Sequence, residues 1–273
     1  MMRRLHCDTA TWHVFARGTR RLELFRDEAD HREFLQILVY ALKQSGAKAW
    51  AYTLMNNHYH LLLEASSTEL TACMLRLNKM YARYHNQRYG LVGHIFDGPY
   101  QAFRQRSLLL SLSTIAYIFV NPVKAGICGA VEDYPWSSYR SFLGRPGSPL
   151  PIPPGPLLSR MDPDPKRVWK LFHLAMRREL QREPKLVTGR PTMVEVHLSQ
   201  FAWLLDYAQG NPRLLSGEDP IPVAAYWARQ CGIAPRVIAK ALDLESREVR
   251  NMLMAFGRRL KSQPSLARLA SIP

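Results

Sequence analysis

Two histidines stand two residues apart, His58 and His60, in the stretch Leu54-Met55-Asn56-Asn57-His58-Tyr59-His60-Leu61-Leu62-Leu63-Glu64. In an extended strand, residues i and i+2 share a face, so both imidazoles project from one side. Tyr59, Leu61 and Leu63 point to the other. Two neutral imidazoles on one face suit a divalent cation, which needs a third ligand from elsewhere in the chain. Glu64 continues that face but lies roughly 13 Å from His60 at strand rise, too far to serve without a bend. The alternative is a pair of ordinary sheet histidines, one of them satisfied by a backbone carbonyl. A second pair, Tyr117 and Asn121, is four apart and so shares a helix face. If that helix packs near the histidine strand, Asn121 offers an amide oxygen to the cation, with Tyr117 one turn away. A phenol of ordinary pKa, about 10, is a poor nucleophile at neutral pH. It becomes useful when its target is strongly polarised, as a phosphodiester on a divalent metal is. The product would be a phosphotyrosine link and a free hydroxyl, which conserves bond energy and lets strands be rejoined without a nucleotide cofactor.

These residues need elements to position them. Residues 11–16 (TWHVFA) are a short β-rich run and predict a first strand. Arg17-Gly18-Thr19-Arg20-Arg21 then turns the chain, either as a solvated turn or as a phosphate contact beside the site. Phe34, Ile37, Leu38 and Ala41 recur at helix spacing over residues 30–43, with Asp30 and Glu33 placed as a capping box. Residues 47–55 and 58–64 read as a hairpin about Asn56-Asn57. Residues 68–88 form a second helix with Arg76, Lys79, Arg83 and Arg88 among its tyrosines. That pattern suits a solvated amphipathic face or a nucleic-acid backbone. A Gly-rich loop at 93–99 leads to a fourth strand over 100–106, with Arg104 and Arg106 two apart. A third helix over 107–120 is expected to end at Asn121-Pro122, because the residue before proline is pushed out of helical conformation. The order β-α-β-β-α-β is the ferredoxin-like plan, an α+β four-stranded antiparallel sheet with helices on one face.

Across 273 residues the chain carries 37 Lys+Arg against 22 Asp+Glu, a formal net charge of +15. The excess is spread over both parts, 18 against 11 in residues 1–150 and 19 against 11 beyond. A surplus of that size points to a polyanion, nucleic acid before an anionic membrane. Cys7, Cys73, Cys128 and Cys231 form no C-x-x-C pair, so neither a zinc ribbon nor a disulfide framework is expected. No apolar run reaches the ~18 residues of a membrane span. Those absences predict a soluble protein of the cytoplasm.

Residues 145–165 are proline-rich and read as a linker, separating a domain over 1–144 from an all-helical region over 166–273. Within that region, 237–242 and 246–256 read as two helices about a tight turn. Ala239 is small at the crossing, Leu244 fills the turn and Val249 packs back. This is either an αα-hairpin or a helix-turn-helix whose second helix enters a major groove, with Arg247 and Arg250 facing DNA.

Several separated motifs, in order, resemble one family. They are Arg17-Gly18, Asn57-His58-Tyr59-His60-Leu61, Gly93-His94, Tyr117-Ile118-Phe119-Val120-Asn121-Pro122-Val123-Lys124-Ala125-Gly126 and Asp133-Tyr134-Pro135-Trp136-Ser137-Ser138-Tyr139. Over residues 9–144 the chain resembles the HUH-type single-tyrosine transposases, and within them the REP-associated tyrosine transposases of bacteria. The resemblance implies the HUH endonuclease fold, Tyr117 as a nucleophile forming a 5′-phosphotyrosine, and His58, His60 and Asn121 as ligands of Mg2+ or Mn2+. It implies single-stranded, hairpin DNA of REP-palindrome type as substrate, a monomer or homodimer, and a place in the bacterial nucleoid. Arg17, Arg20, Arg21, Arg83, Arg104, Arg106 and Lys124 are the expected contacts to that DNA, with Arg247 and Arg250 as contacts to duplex. The chain has Pro99 where the family often has an arginine after the glycine. A catalytically weak, domesticated hairpin-binding protein or regulator is therefore the alternative reading.

Overall fold

In a computed structural model, residues 9–160, 164–181, 201, 204–205, 208–209, 215, 217–231 and 233–270 are described. Part of the expected linker, residues 161–163, and residues 182–200 of the expected helical region lie outside them. The chain divides into two units, residues 1–105 with 114–184, and residues 106–113 with 185–273.

The first unit is built on four strands, β1 (Ala10–Arg17), β2 (Lys48–Met55), β3 (His58–Ala65) and β4 (Gln101–Gln105). Their order is β2-β3-β1-β4 and every neighbouring pair is antiparallel, which is the expected ferredoxin-like sheet. Helices α1 (Glu28–Ser45) and α2 (Ser67–Tyr89) cover one face. Val14, Tyr52, Leu54, Tyr59, Leu61 and Leu63 of the sheet meet Phe34 and Leu38 of α1 and Leu70, Met74, Leu77 and Tyr81 of α2 there. Each such side chain, fully buried, contributes about 1.5–3 kcal/mol.

The cap of α1 differs from expectation. Asp27 caps it, accepting from the Asp30 backbone N–H at 3.1 Å. Asp30 lies inside the helix and is buried, because α2 brings it partners. Its carboxylate accepts from Arg88 at 2.5 Å, Tyr89 at 2.7 Å and Tyr84 at 3.1 Å, and from the Arg26 backbone N–H at 2.8 Å. Ser66 and Glu69 form the capping box of α2.

Helix α3 (Leu108–Lys124) runs through Pro122 instead of stopping before it. Proline removes one backbone donor, but the helix continues around it: the Ala125 N–H reaches the Asn121 carbonyl at 2.9 Å. Ile115, Ala116, Ile118, Phe119 and Val120 are all buried, as befits a helix apolar on most sides. After the short helix α4 (Tyr139–Phe142), the proline-rich stretch is no free linker. Ile152 and Leu157, the latter in α5 (Gly155–Leu158), are buried, and the Leu150 N–H donates to the Tyr52 hydroxyl at 3.2 Å. Helix α6 (Pro165–Gln181) belongs to this unit, beyond the expected boundary at 144. Its Phe172 ring lies 4.8 Å from Phe142 and 6.4 Å from Phe119.

The second unit contains α7 (Pro220–Gln230), α8 (Pro235–Leu242) and α9 (Ser246–Ser262). Asp243, left-handed at φ 55°, turns α8 into α9. Ala239 and Val249 are buried as expected, but Leu244 is 37% exposed and does not fill the turn. Its backbone closes the turn instead, the N–H reaching the Ala239 carbonyl at 3.0 Å. Among the described residues no helix is long and apolar enough to cross a membrane.

Candidate active site

Strand β3 begins at His58, directly after the Asn56-Asn57 turn, so alternation sends His58 and His60 to the sheet face opposite α1 and α2. Tyr59 goes to the other face, where its hydroxyl donates to Asn78 at 2.6 Å. The His58 and His60 rings stand 5.1 Å apart and nearly perpendicular. His58 Nδ1 donates to the Asn57 side-chain oxygen at 2.8 Å, which leaves Nε2 as the lone-pair nitrogen of a neutral ring. His60 is fully buried, and its Nε2 has no hydrogen-bond partner among the described residues.

The antiparallel register with β1 sets Arg17 opposite His58, Phe15 opposite His60 and His13 opposite Leu62. All three therefore share the histidine face. His13 is fully buried and its Nε2 lies 3.1 Å from His60 Nδ1. Burial pushes His13 and His58 down to about 3, with the nearby Arg17 charge adding to the effect at His58. Burial, then the neighbouring His58, His13 and Arg17, hold His60 well below its ordinary value. All three rings are neutral at pH 7, so none of them repels a divalent cation.

Helix α3 lays Tyr117 against this face. Its ring centroid is 5.6 Å from His60 and 5.8 Å from His13, edge-on to both. Asn121 follows one turn later on the same helix face. Its Nδ2 donates to the Tyr117 carbonyl at 2.6 Å, so the amide oxygen is the end left to a cation. The described residues hold no group of three or more His, Cys, Asp and Glu that could bind a metal. A cation between His58 and His60 therefore needs a ligand of another type. Glu64 does not supply it, because its carboxylate takes Arg160. The unsatisfied His60 Nε2 and the bare His58 Nε2 are nitrogen donors of the type a divalent cation accepts, and the Asn121 amide oxygen, one turn from Tyr117, is a donor of the further type it needs.

Other tyrosines are occupied elsewhere. Tyr81 donates to the Leu24 carbonyl, and Tyr84 and Tyr89 donate to the Asp30 carboxylate.

The turn after β1 is tied to the site's edge. The Gly18 N–H reaches the Asn57 carbonyl at 2.8 Å and the Thr19 N–H the Ile95 carbonyl at 2.8 Å. The Asp97 N–H reaches the Arg17 carbonyl at 2.8 Å. A Cβ on Gly18 would stand 2.1 Å from the Leu22 carbonyl oxygen, so only glycine fits. Arg20 and Arg21 are exposed with φ of 50° and 64°, a conformation that costs a non-glycine residue of order 1 kcal/mol or more and clusters at functional sites.

The remaining expected contacts disperse. Arg83 on α2 and Arg104 on β4 are exposed, while Arg106 groups with the second unit. Arg247 and Arg250 are exposed on α9. Lys124 pairs through its Nζ with buried Glu179 of α6 at 3.1 Å, so its charge already has a partner within the fold. His13 was not among the expected site residues, and Asn57 was expected in the turn and the motif but not as the acceptor of the His58 proton. The alternation of Thr-Trp-His-Val-Phe-Ala-Arg carried a signal, since it puts His13, Phe15 and Arg17 on one face, but pairing His13 with His60 needed the strand register.

Residues 7–108 match the family described as Transposase IS200 like. The match ends before Tyr117 and Asn121. Comparison with curated proteins gives no match. Among solved structures the chain is similar to a REP-associated tyrosine transposase bound to a REP hairpin, at 18% identity, covering 53% of this chain and 86% of that one, with a TM-score of 0.45. It is also similar to a candidate transposase from Deinococcus radiodurans R1, at 21% identity, covering 38% and 84%, with a TM-score of 0.30.

Proposed function

We propose that the chain, which matches the family described as Transposase IS200 like over residues 7–108, is a transposase of that kind and nicks and transfers single-stranded DNA through a 5′-phosphotyrosine at Tyr117. The observation that carries the reading is the Tyr117 ring at 5.6 Å from His60, on the face that also bears His58. In the proposed step the Tyr117 oxygen bonds to phosphorus, the bond from phosphorus to the 3′ oxygen breaks, and the phenolic proton ends on the 3′ hydroxyl. Reversal with a different 3′ hydroxyl rejoins the strand.

His58 Nε2, His60 Nε2 and the Asn121 oxygen would hold Mg2+ or Mn2+. Such an ion polarises the phosphate and favours departure of the leaving oxygen. The protein's own part is positional. Helix α3 fixes the phenol against the imidazoles, and the neutral rings add no charge that would repel a cation. Arg17, opposite His58, and the exposed Arg20 and Arg21 are suited to grip flanking phosphates.

The substrate we propose is a hairpin of REP-palindrome type, following the motif resemblance. For the second unit, two helices joined at Asp243 with Arg247 and Arg250 exposed support a helix-turn-helix that contacts duplex DNA. The cytoplasm, at the nucleoid, is the proposed location, and a monomer or homodimer the proposed state.

The test is incubation of the full chain with hairpin single-stranded DNA flanking its own gene, with and without manganese, read on a denaturing protein gel. A metal-dependent shifted band that disappears in Tyr117→Phe is expected. A band that persists in Tyr117→Phe would refute the nucleophile. Absence of any band, with tight hairpin binding, would favour the domesticated binding protein.

A further inference from the structure

His13 is absent from the residues that the family motifs single out, yet it is the closest polar partner of His60. The two rings stack with centroids 5.2 Å apart, and His13 Nε2 faces His60 Nδ1 at 3.1 Å. Both side chains are fully buried. Phe15 lies 5.6 Å from His60 and 5.7 Å from His13, and Phe103 lies 6.4 Å from His13, so aromatic rings wall the pair.

Each neutral imidazole carries one N–H, so only one ring can donate across the contact. If His13 donates, the His60 proton must sit on Nε2, a buried donor with no acceptor among the described residues. If His60 donates from Nδ1, its Nε2 is a bare lone pair, and the His13 proton sits on Nδ1. Either choice leaves one buried N–H unmet, so the pair alone does not decide between them. A cation decides, because it binds only the bare nitrogen. A metal-bound histidine is commonly oriented in this way by an acceptor for its other N–H.

We propose that His13 is a positioning residue, accepting the Nδ1 proton of His60 and so presenting the His60 Nε2 lone pair to the cation. The inference rests on the proposed cation site.

The experiment uses the full chain labelled with 15N-histidine, and Mn2+ binding by calorimetry. In the wild type with Mg2+, His60 is expected to be protonated at Nδ1, with the Nε2 resonance moving as Mg2+ is added. His13→Leu should weaken Mn2+ binding about 10–100-fold. His13→Gln, whose amide oxygen can accept the same proton, should regain most of that loss. A His60 protonated at Nε2 in the presence of Mg2+ would overturn the proposal. So would Mn2+ binding by His13→Leu within twofold of wild type. If His13→Leu does not fold, the wild-type resonances and the Gln variant decide. His60→Ala separates the two readings. If it abolishes Mn2+ binding while His13→Leu retains it, only the role of His13 fails; if it leaves Mn2+ binding intact, the cation site fails and His13's role with it.

Discussion

Replacing Gly18 by alanine tests whether the turn after β1 positions the site. The new Cβ would lie 2.1 Å from the Leu22 carbonyl oxygen, 3.0 Å from its carbon and 3.2 Å from the Leu22 Cβ. An ordinary carbon–oxygen contact is about 3.3 Å or more, so one side must retreat by roughly 1 Å. The backbone at Gly18 is held by the Asn57 carbonyl and at Thr19 by the Ile95 carbonyl, while the Leu22 N–H is held by the Thr19 carbonyl at 2.9 Å. No flexible side chain can absorb the shift. Overpacking of this kind costs about 1–3 kcal/mol. In a unit of this size each kcal/mol lowers Tm by roughly 2–4 °C, so Gly18→Ala should unfold about 2–12 °C below wild type. Activity should fall further than stability. Arg17, Arg20 and Arg21 ride on the displaced turn, and misplacement by 1 Å can cost on the order of 100-fold. The assay is thermal unfolding by circular dichroism, with manganese-dependent hairpin cleavage measured well below the transition. An unchanged Tm with cleavage within twofold of wild type would show that the turn is free to adjust and that its arginines are not held for a task.

Three further outcomes follow from the geometry. Tyr84→Phe and Tyr89→Phe should each keep the covalent adduct while losing stability, about 1.5–3 kcal/mol for a hydrogen bond to a charged group, which urea unfolding measures. Asp27 is held down to about 2, chiefly by the hydrogen bond from Arg88, and at Asp30 the cost of burial is outweighed by bonds from Arg26, Tyr89, Arg88 and Tyr84, so its carboxyl also lies below its usual range. A carboxyl with a depressed folded pKa adds stability above its unfolded value of about 4, and that stability is lost as pH falls through the folded pKa. The protein should therefore lose stability between about pH 4 and pH 2, and Arg88→Met should flatten that acid limb in urea titrations across the range. Arg247→Ala and Arg250→Ala should each reduce the salt slope of duplex binding by about 1 without altering hairpin cleavage, and an unchanged slope would remove α9 from the duplex interface.

The sheet was legible because its signals are local. Strand alternation, the Asn56-Asn57 turn and the helix spacing of α1 and α2 each lie within a few residues, and the face shared by His58 and His60 follows from the pleat alone. Tyr117 and Asn121 were legible as a pair for the same reason. What escaped depended on partners distant in sequence. Asp30 looks like a cap until Arg88, Tyr84 and Tyr89 arrive from α2. That Lys124 pairs with Glu179 is equally invisible until α6 is in place. His13 is an ordinary strand residue until the register with β3 sets it beside His60. Proline content suggested a linker over 145–165, but composition does not reveal that Ile152 and Leu157 find a core to enter.

The docking of α6 has a bearing on how such a chain can be inherited. Phe172 completes an aromatic cluster with Phe119 and Phe142, and Glu179 answers Lys124 on the helix that carries Tyr117. A gene fusion that cut after residue 144 would hand its new host the Tyr117 helix with its flank bared to water and its terminal lysine stripped of this counter-charge. The heritable module is therefore longer than the sheet and its histidines suggest. Recombination that preserves it has to spare the coding sequence through residue 181, whatever is exchanged beyond.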